Sequence, residues 1–250
     1  MHTLRGGPLD LTIDEEAFVN DGFAVFESAY DATAIKLEVD ERIEAEKQAG
    51  RLPSVEGSIR PAHLIRCPSV KAFITNSGLL SAVAAFFSGD PVLCSLGANC
   101  VVPGGQGMGI HRDYPYLSRH KQRTDGPLLC LQLVLSLDAM DENNGATLLF
   151  PGSHRGVLNK PRKMVCPAGS LILFHGALMH AVDANRSSSP RTNLLASFSP
   201  YWVRPFSDVA SSLAAAELQD ERVRHLLGLD FHERIRNSIP YRHYGSGDRP

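Results

Sequence analysis

The sequence predicts a mainly β protein, an antiparallel sandwich or jelly roll with flanking α-helices, and three observations carry that prediction. The middle of the chain holds short runs rich in Val, Leu and Phe at 93–102, 128–137, 146–150, 170–174 and 193–203. Clusters of Gly, Pro and Asn separate them, the rhythm of sandwiches and barrels. Helical periodicity is confined to the two ends, and no internal repeat of roughly 20–50 residues is visible, so solenoids and propellers are excluded.

Taken in order, Thr12 and Glu15 have the spacing of a capping box, and Phe18 with the stop at Asp21-Gly22 completes a short first helix. A strand, Phe23-Ala24-Val25-Phe26, follows. Between 31 and 48, Ala32, Ile35, Val39 and Ile43 fall three or four apart among charged residues, with Gly50 as the stop. That pattern predicts an amphipathic helix covering one face of a sheet. A second helical stretch is expected over 69–87. Beyond the strand region, 207–227 reads as one more helix closed by Gly228, and the tail 234–250 is polar and basic, either loosely ordered or packed over the barrel mouth. Residues 119–126 and 187–190 read as polar loops. One domain is expected over 1–250: helices at 12–88, a jelly-roll core at about 90–205, and a C-terminal helix and tail at 207–250.

The chain is 250 residues long, 43% hydrophobic and 21% charged, which suits a globular core and excludes disorder and fibre. The net charge is −2 and the 25 Lys and Arg are scattered, so nucleic acid and anionic membrane are not expected partners. A small-molecule substrate is the expectation, for a monomer or homodimer. The N-terminus lacks the apolar core of a signal peptide, and no run approaches the ~20 apolar residues of a membrane span, so a cytoplasmic location is expected. The five cysteines, Cys67, Cys94, Cys100, Cys130 and Cys166, are an odd number without a C-x-x-C pair, and read as buried free thiols.

The segment that carries chemistry is Gly109-Ile110-His111-Arg112-Asp113-Tyr114, at the end of a glycine-rich approach from 103. In extended backbone, residues two apart point to one face, so the His111 imidazole and the Asp113 carboxylate converge. A second histidine from a distant strand would complete a facial triad, leaving three adjacent positions on iron(II) for substrate and dioxygen. The run 170–180 ends an apolar strand with two histidines, His175 and His180, which should not both face inward on a regular strand.

Three blocks give the chain a family likeness. They are His111-Arg112-Asp113; Asn144-Gly145-Ala146-Thr147-Leu148-Leu149-Phe150-Pro151-Gly152-Ser153-His154; and the stretch from Phe174-His175 through His180 and Asn185 to Arg191. In order and spacing they resemble the phytanoyl-CoA dioxygenase family of iron(II)/2-oxoglutarate oxygenases over roughly residues 10 to 205. The resemblance implies a double-stranded β-helix of the cupin-like kind. It implies that Fe(2+) is held by His111, Asp113 and His180, with His175 near the site or in the core and His154 bonded within its loop. It implies that Arg191, eleven residues after His180, binds the far carboxylate of 2-oxoglutarate. Chemistry agrees: a buried carboxylate is costly unless paired, and a guanidinium fork satisfies it better than lysine. Gln132, polar in an apolar strand, and Thr147 are assigned to the cosubstrate on the same likeness.

The implied reaction converts 2-oxoglutarate and O2 to succinate and carbon dioxide while hydroxylating or desaturating a small organic molecule; a secondary-metabolite or amino-acid-like substrate is expected ahead of an acyl-CoA, because the chain is compact and has no basic cluster for a nucleotide diphosphate. Asp113 points away from halogenation, because relatives that chlorinate carry a small residue there. Two departures stand out. Ala181-Val182 replaces the Gly-Ser that often follows the distal histidine, and Met108 stands where some relatives have Gln, so the grip on the near carboxylate is open. Tyr114, Tyr116, Met108 and Trp202 are candidate pocket residues. The rivals are a cupin-like metal-binding protein and a cosubstrate-independent metalloenzyme on the same barrel. The first has no use for Arg191, and succinate formation excludes the second.

Overall fold

The computed structural model describes residues 9, 11–50, 57–87, 89–113 and 128–233. The strands are β1 (Phe23–Phe26), β2 (Ser58–Ile59), β3 (Pro91–Val101), β4 (Met108–His111), β5 (Leu131–Ser136), β6 (Thr147–Leu149), β7 (Arg162–Lys163), β8 (Leu171–His175), β9 (His180–Val182) and β10 (Arg191–Pro200). One sheet has the order β1-β8-β5-β10-β3-β2 and the other β4-β9-β6-β7, all pairs antiparallel. This is the expected jelly roll.

Alternation along the long strands builds two cores. Leu131, Leu133, Leu135, Leu171, Leu173, Leu194, Ala196 and Phe198 turn outward and pack under the helices α2 (Thr33–Gln48), α3 (Pro68–Ile74) and α4 (Ser77–Ala84), against Ile35, Val39, Phe73 and Leu79. Val134, Ile172 and Phe174 turn inward and meet Leu149, Met140 and Met164. Burying each large side chain contributes roughly 1.5–3 kcal/mol. Covering both faces is why these strands read as nearly continuous apolar runs. The inner face of β10 is different: Arg191, Asn193 and Ser197 alternate with the outward apolar set and are buried.

Helix boundaries differ from the expectation where local caps decide. In α1 (Glu15–Asp21) the cap is Asp14, not Thr12: its side chain accepts from Ala17 N at 3.0 Å, and Gly22, at φ 86°, ends the helix. The stretch 69–87 is two helices, because Asn76 Oδ1 accepts from Gly78 N at 3.0 Å and Leu79 N at 3.1 Å and starts α4 afresh. The expected helix over 207–227 is two 3₁₀ turns, Ala210–Ser212 and Glu217–Gln219, before α5 (Glu221–Leu226), which Asp220 caps. The loop 119–126 and the tail 234–250 lie outside the described residues, within which no helix is long and apolar enough to cross a membrane. All five cysteines are buried and free.

Candidate metal centre and cosubstrate pocket

The glycines before β4 let it approach β9. Gly107 has φ 76°, and a Cβ there would meet the Val182 carbonyl oxygen at 2.1 Å. Met108 then pairs with Val182 and His111 with His180, with an irregularity between the two pairs. His175 and His180 belong to different strands: β8 ends at His175 and a turn begins β9 at His180. The run 170–180 is therefore not one strand, and the question of facing resolves.

His111, Asp113 and His180 each offer a ligand atom within 4.8 Å of the others. Asp113 Oδ2 lies 3.3 Å from His180 Nε2 and Oδ1 3.7 Å from His111 Nε2. Each imidazole is oriented from behind. His111 Nδ1 is 2.9 Å from the Gly109 carbonyl oxygen and His180 Nδ1 is 3.0 Å from that of Leu178. A carbonyl only accepts, so both rings carry a proton on Nδ1 and turn Nε2 toward Asp113. Burial, reinforced by the neighbouring His180, holds His111 below the usual imidazole range, hence neutral, as a metal ligand must be. The Phe174 ring packs edge-on against His180 with centroids 4.9 Å apart.

Arg112, between the candidate ligands His111 and Asp113, has a different task. Its Nε donates to Ala177 O at 2.8 Å and its Nη2 to Ser153 O at 3.2 Å, while Asp113 N donates to Gly176 O at 3.2 Å. Ser153 Oγ in turn accepts from Met179 N at 2.8 Å. The Pro-Gly-Ser-His turn and the residue inside the His-Arg-Asp triplet thus hold the turn that delivers His180. His154 and His175 sit behind it. His154 Nε2 donates to Val19 O at 3.1 Å, and His175 Nδ1 accepts from Ala177 N at 3.0 Å, with ring centroids 5.1 Å apart.

Arg191 is 1% exposed on the inner face of β10. Its Nη2 donates to Gly145 O and its Nη1 to Asn193 Oδ1 at 2.8 Å, whereas Nε is buried without a partner. Among the described residues no carboxylate pairs with it, and burial pushes its pKa down to about 10, so it is still cationic at neutral pH. A buried cation with no direct carboxylate partner among the described residues and a donor to spare is a cradle for a carboxylate. Thr147 stands one step from the triad, since it pairs with Val182 while Leu149 pairs with His180. Its Oγ1 reaches Met140 Sδ at 3.9 Å. Gln132 lies between Phe174 on β8 and Ser197 on β10, with Nε2 3.5 Å from Cys130 Sγ.

Two residues escaped the sequence reading. Asn99 pairs with Asn193 across β3 and β10, is 4% exposed, and keeps Oδ1 without a partner. Arg60, just past β2, reaches Met108 Sδ at 3.5 Å and is close enough to help depress His111, with no carboxylate paired to it among the described residues. Neither falls in a motif; a lone polar residue in an apolar strand was the available signal for Asn99. Trp202 is 54% exposed, and Tyr114 and Tyr116 lie outside the described residues. A cleft of about 1030 Å³ between α4, the start of β3 and α5 contains none of these residues. The candidate donor set lies apart from that cleft.

Comparison with known proteins agrees with this geometry. The family model for phytanoyl-CoA dioxygenase matches residues 18–193. "Dioxygenase trt7" of Aspergillus terreus is 34% identical over 115 residues, covering 43% of this chain and 40% of that protein. "Dioxygenase andF" of Emericella variicolor is 31% identical over 112 residues, covering 41% and 39%. The chain thus matches about two fifths of the length of these curated relatives. The crystal structure of EctD from S. alaskensis with 2-oxoglutarate and 5-hydroxyectoine superposes with a TM-score of 0.61 at 18% identity, over 78% of this chain and 81% of that one. At that identity the likeness speaks for the fold.

Proposed function

The chain belongs to the phytanoyl-CoA dioxygenase family, and from that premise we propose that it is a non-haem iron(II) oxygenase that uses 2-oxoglutarate and O2 to hydroxylate or desaturate a small organic substrate. The observation that carries the reading is the pair of imidazoles locked by Gly109 O and Leu178 O, with both Nε2 atoms turned to one carboxylate. Two imidazole nitrogens and one carboxylate are a donor set suited to ferrous iron with positions left open. That a structure of EctD, similar in fold, was determined with bound Fe and another with 2-oxoglutarate adds support.

His111, Asp113 and His180 would hold the ion. Bound together, the ferrous ion, 2-oxoglutarate and dioxygen supply the oxidising chemistry that ends in succinate, carbon dioxide and an oxidised C–H bond. The chain's own residues orient and neutralise. Arg191 would balance the far carboxylate, using the Nε that has no protein partner. Arg60, beside Met108 and His111, offers a cation for the near carboxylate, which answers the loss of the Gln that some relatives place at 108. Gln132 and Thr147 would line the cosubstrate wall, and Val134, Leu195 and Phe174 keep it dry. The carboxylate of Asp113 favours oxygenation or desaturation over halogenation. We extend the reading to a small neutral metabolite as substrate, acted on in secondary metabolism in the cytoplasm by a monomer or homodimer without nucleic acid or membrane.

Anaerobic addition of iron(II) and 2-oxoglutarate tests it. The expected result is a visible metal-to-ligand charge-transfer band that disappears in the Asp113→Ala, His180→Ala double variant. A wild-type protein without the band, or a double variant that keeps it, would sink the reading.

A further inference from the structure

Gly97 occupies the middle of β3, where a glycine needs a reason. Glycine weakens a strand interior unless it supplies a left-handed φ, a bulge or a close backbone approach. None of these applies. Its φ lies outside the left-handed region, and no atom of the described residues comes within 4 Å of where its Cβ would be. The register of β3 with β10 is regular from Gly97↔Leu195 to Ser95↔Ser197, and shifts only beyond Ser197.

The open space over Gly97 lies on the inner face of its sheet. Leu96 and Ala98 turn outward to the helical core, so Gly97 and its alternates Ser95 and Asn99 face inward. The edges of the two sheets meet where a Cβ on Gly105 would lie 3.1 Å from Val101 Cγ1. Within the larger sheet Ser95 pairs with Ser197, Ser197 with Gln132 and Gln132 with Phe174, whose ring packs on His180, and Gly97 follows one alternation further along, on the row of Leu195 and Val134. That alternation is ~7 Å along the strand from the row that reaches His180. Around Gly97 stand Leu195, the Ser95–Ser197 hydroxyl pair, 2.5 Å apart, and Asn99 with its unpartnered Oδ1. None is charged.

We propose that Gly97 is a specificity-determining residue, whose missing side chain keeps room beside the metal triad for a neutral, largely apolar part of the substrate bearing a hydroxyl or carbonyl. This rests on the oxygenase reading, and it adds the position that sets substrate size and the chemical character of the group received there. Arg191 and Arg60 are taken by the cosubstrate, which leaves this wall uncharged among the described residues.

The test is cysteine accessibility in Gly97→Cys, performed anaerobically with iron(II) and 2-oxoglutarate bound, using the neutral hydroxyethyl and the anionic sulfonatoethyl methanethiosulfonates. Rates are normalised to those with a free thiol. The new thiol is expected to react at least tenfold faster than the five buried native thiols, and at least tenfold faster with the neutral reagent. A rate no greater than that of the native thiols would overturn the proposal. So would equal or faster reaction with the anionic reagent, or complete protection by 2-oxoglutarate alone. Gly97→Ala is the second variant and is expected to melt no lower than wild type, since nothing crowds its methyl; a melting temperature lower by several degrees would mean the space is not open. If the charge-transfer band fails in wild type while labelling behaves as expected without cosubstrate, the oxygenase reading falls and the recess stands.

Discussion

The imidazoles of His111 and His180 face each other across the β4–β9 pair, ring centroids 4.1 Å apart, and each donates its Nδ1 proton to the carbonyl oxygen two residues before it. The repeated local bond means that both rings are aimed by their own backbone before any ion arrives. Such support from behind a ligand typically governs affinity as much as the ligand itself.

Metal binding should therefore stabilise the fold without remodelling it. At iron(II) about a hundredfold above its dissociation constant, stability should rise by ~2.7 kcal/mol by mass action. Anaerobic thermal melts check this, and Asp113→Ala should abolish the rise while leaving the metal-free melt close to wild type. A wild-type protein indifferent to iron(II) would contradict the assignment.

Arg191→Met replaces the buried guanidinium by a side chain of similar length and no charge. Removing an uncompensated buried cation should leave metal-free stability unchanged or higher, yet cost ~2–5 kcal/mol of 2-oxoglutarate binding, the penalty for truncating one side of a buried charge pair. Titration of the charge-transfer band measures the second effect and urea unfolding the first. Unaltered affinity would remove Arg191 from the cosubstrate site.

The pH dependence of stability should carry the mark of His175. Burial first, and the nearby His154 second, push its pKa down to about 4, whereas an unfolded imidazole titrates near ~6.5. On acidification the unfolded chain takes up this proton first. The stability due to the neutral ring is thus complete above about pH 6.5 and is lost as the pH falls toward 4, by roughly 2–4 kcal/mol. Urea unfolding at pH 7.5 and pH 4.5 should show the loss, and His175→Asn should flatten that part of the slope. An equal slope in the variant would assign the acid sensitivity elsewhere.

Ser153→Ala removes the hydroxyl that accepts from Met179 N, next to His180. A deprived N–H of this kind costs ~1–3 kcal/mol. Unfolding stability should drop by that amount and iron(II) affinity should fall with it, because the same turn carries the third ligand. Loss of stability with full affinity would show that the turn does not position His180.

The larger strands were legible because alternation on two buried faces leaves a long apolar run, as in β5, β8 and β10. Of the short ones β1 and β6 were legible too, whereas β2, β4, β7 and β9 were not. β4 reads Met-Gly-Ile-His, and β9 reads His-Ala-Val; each exists because the other pairs with it, a tertiary cause that no local window contains. The helix over 69–87 failed at Asn76, whose cap outweighed an apolar spacing that runs on through Phe73, Leu79 and Val83. In the site, His111, Asp113, His180 and Arg191 could be named from motif spacing, whereas Arg60, just past β2, and Asn99, on β3, come from other parts of the chain and carry no pattern of their own. Gly97 was passed over because a glycine in a strand signals nothing until the space above it is seen.

The side chain of Arg112 shows what the middle letter of a metal-binding triplet contributes. Pointing away from its two neighbours, it spans to the carbonyl oxygens of Ala177 and Ser153 like a tie-rod between facing walls. A shorter or uncharged residue spans to neither wall, so two turns far apart in the chain are tied together by one guanidinium. Variation at this position should then track the length of the turn at 176–179 rather than the identity of the metal, and grafting the triplet alone onto another barrel would transplant the ligands without their alignment.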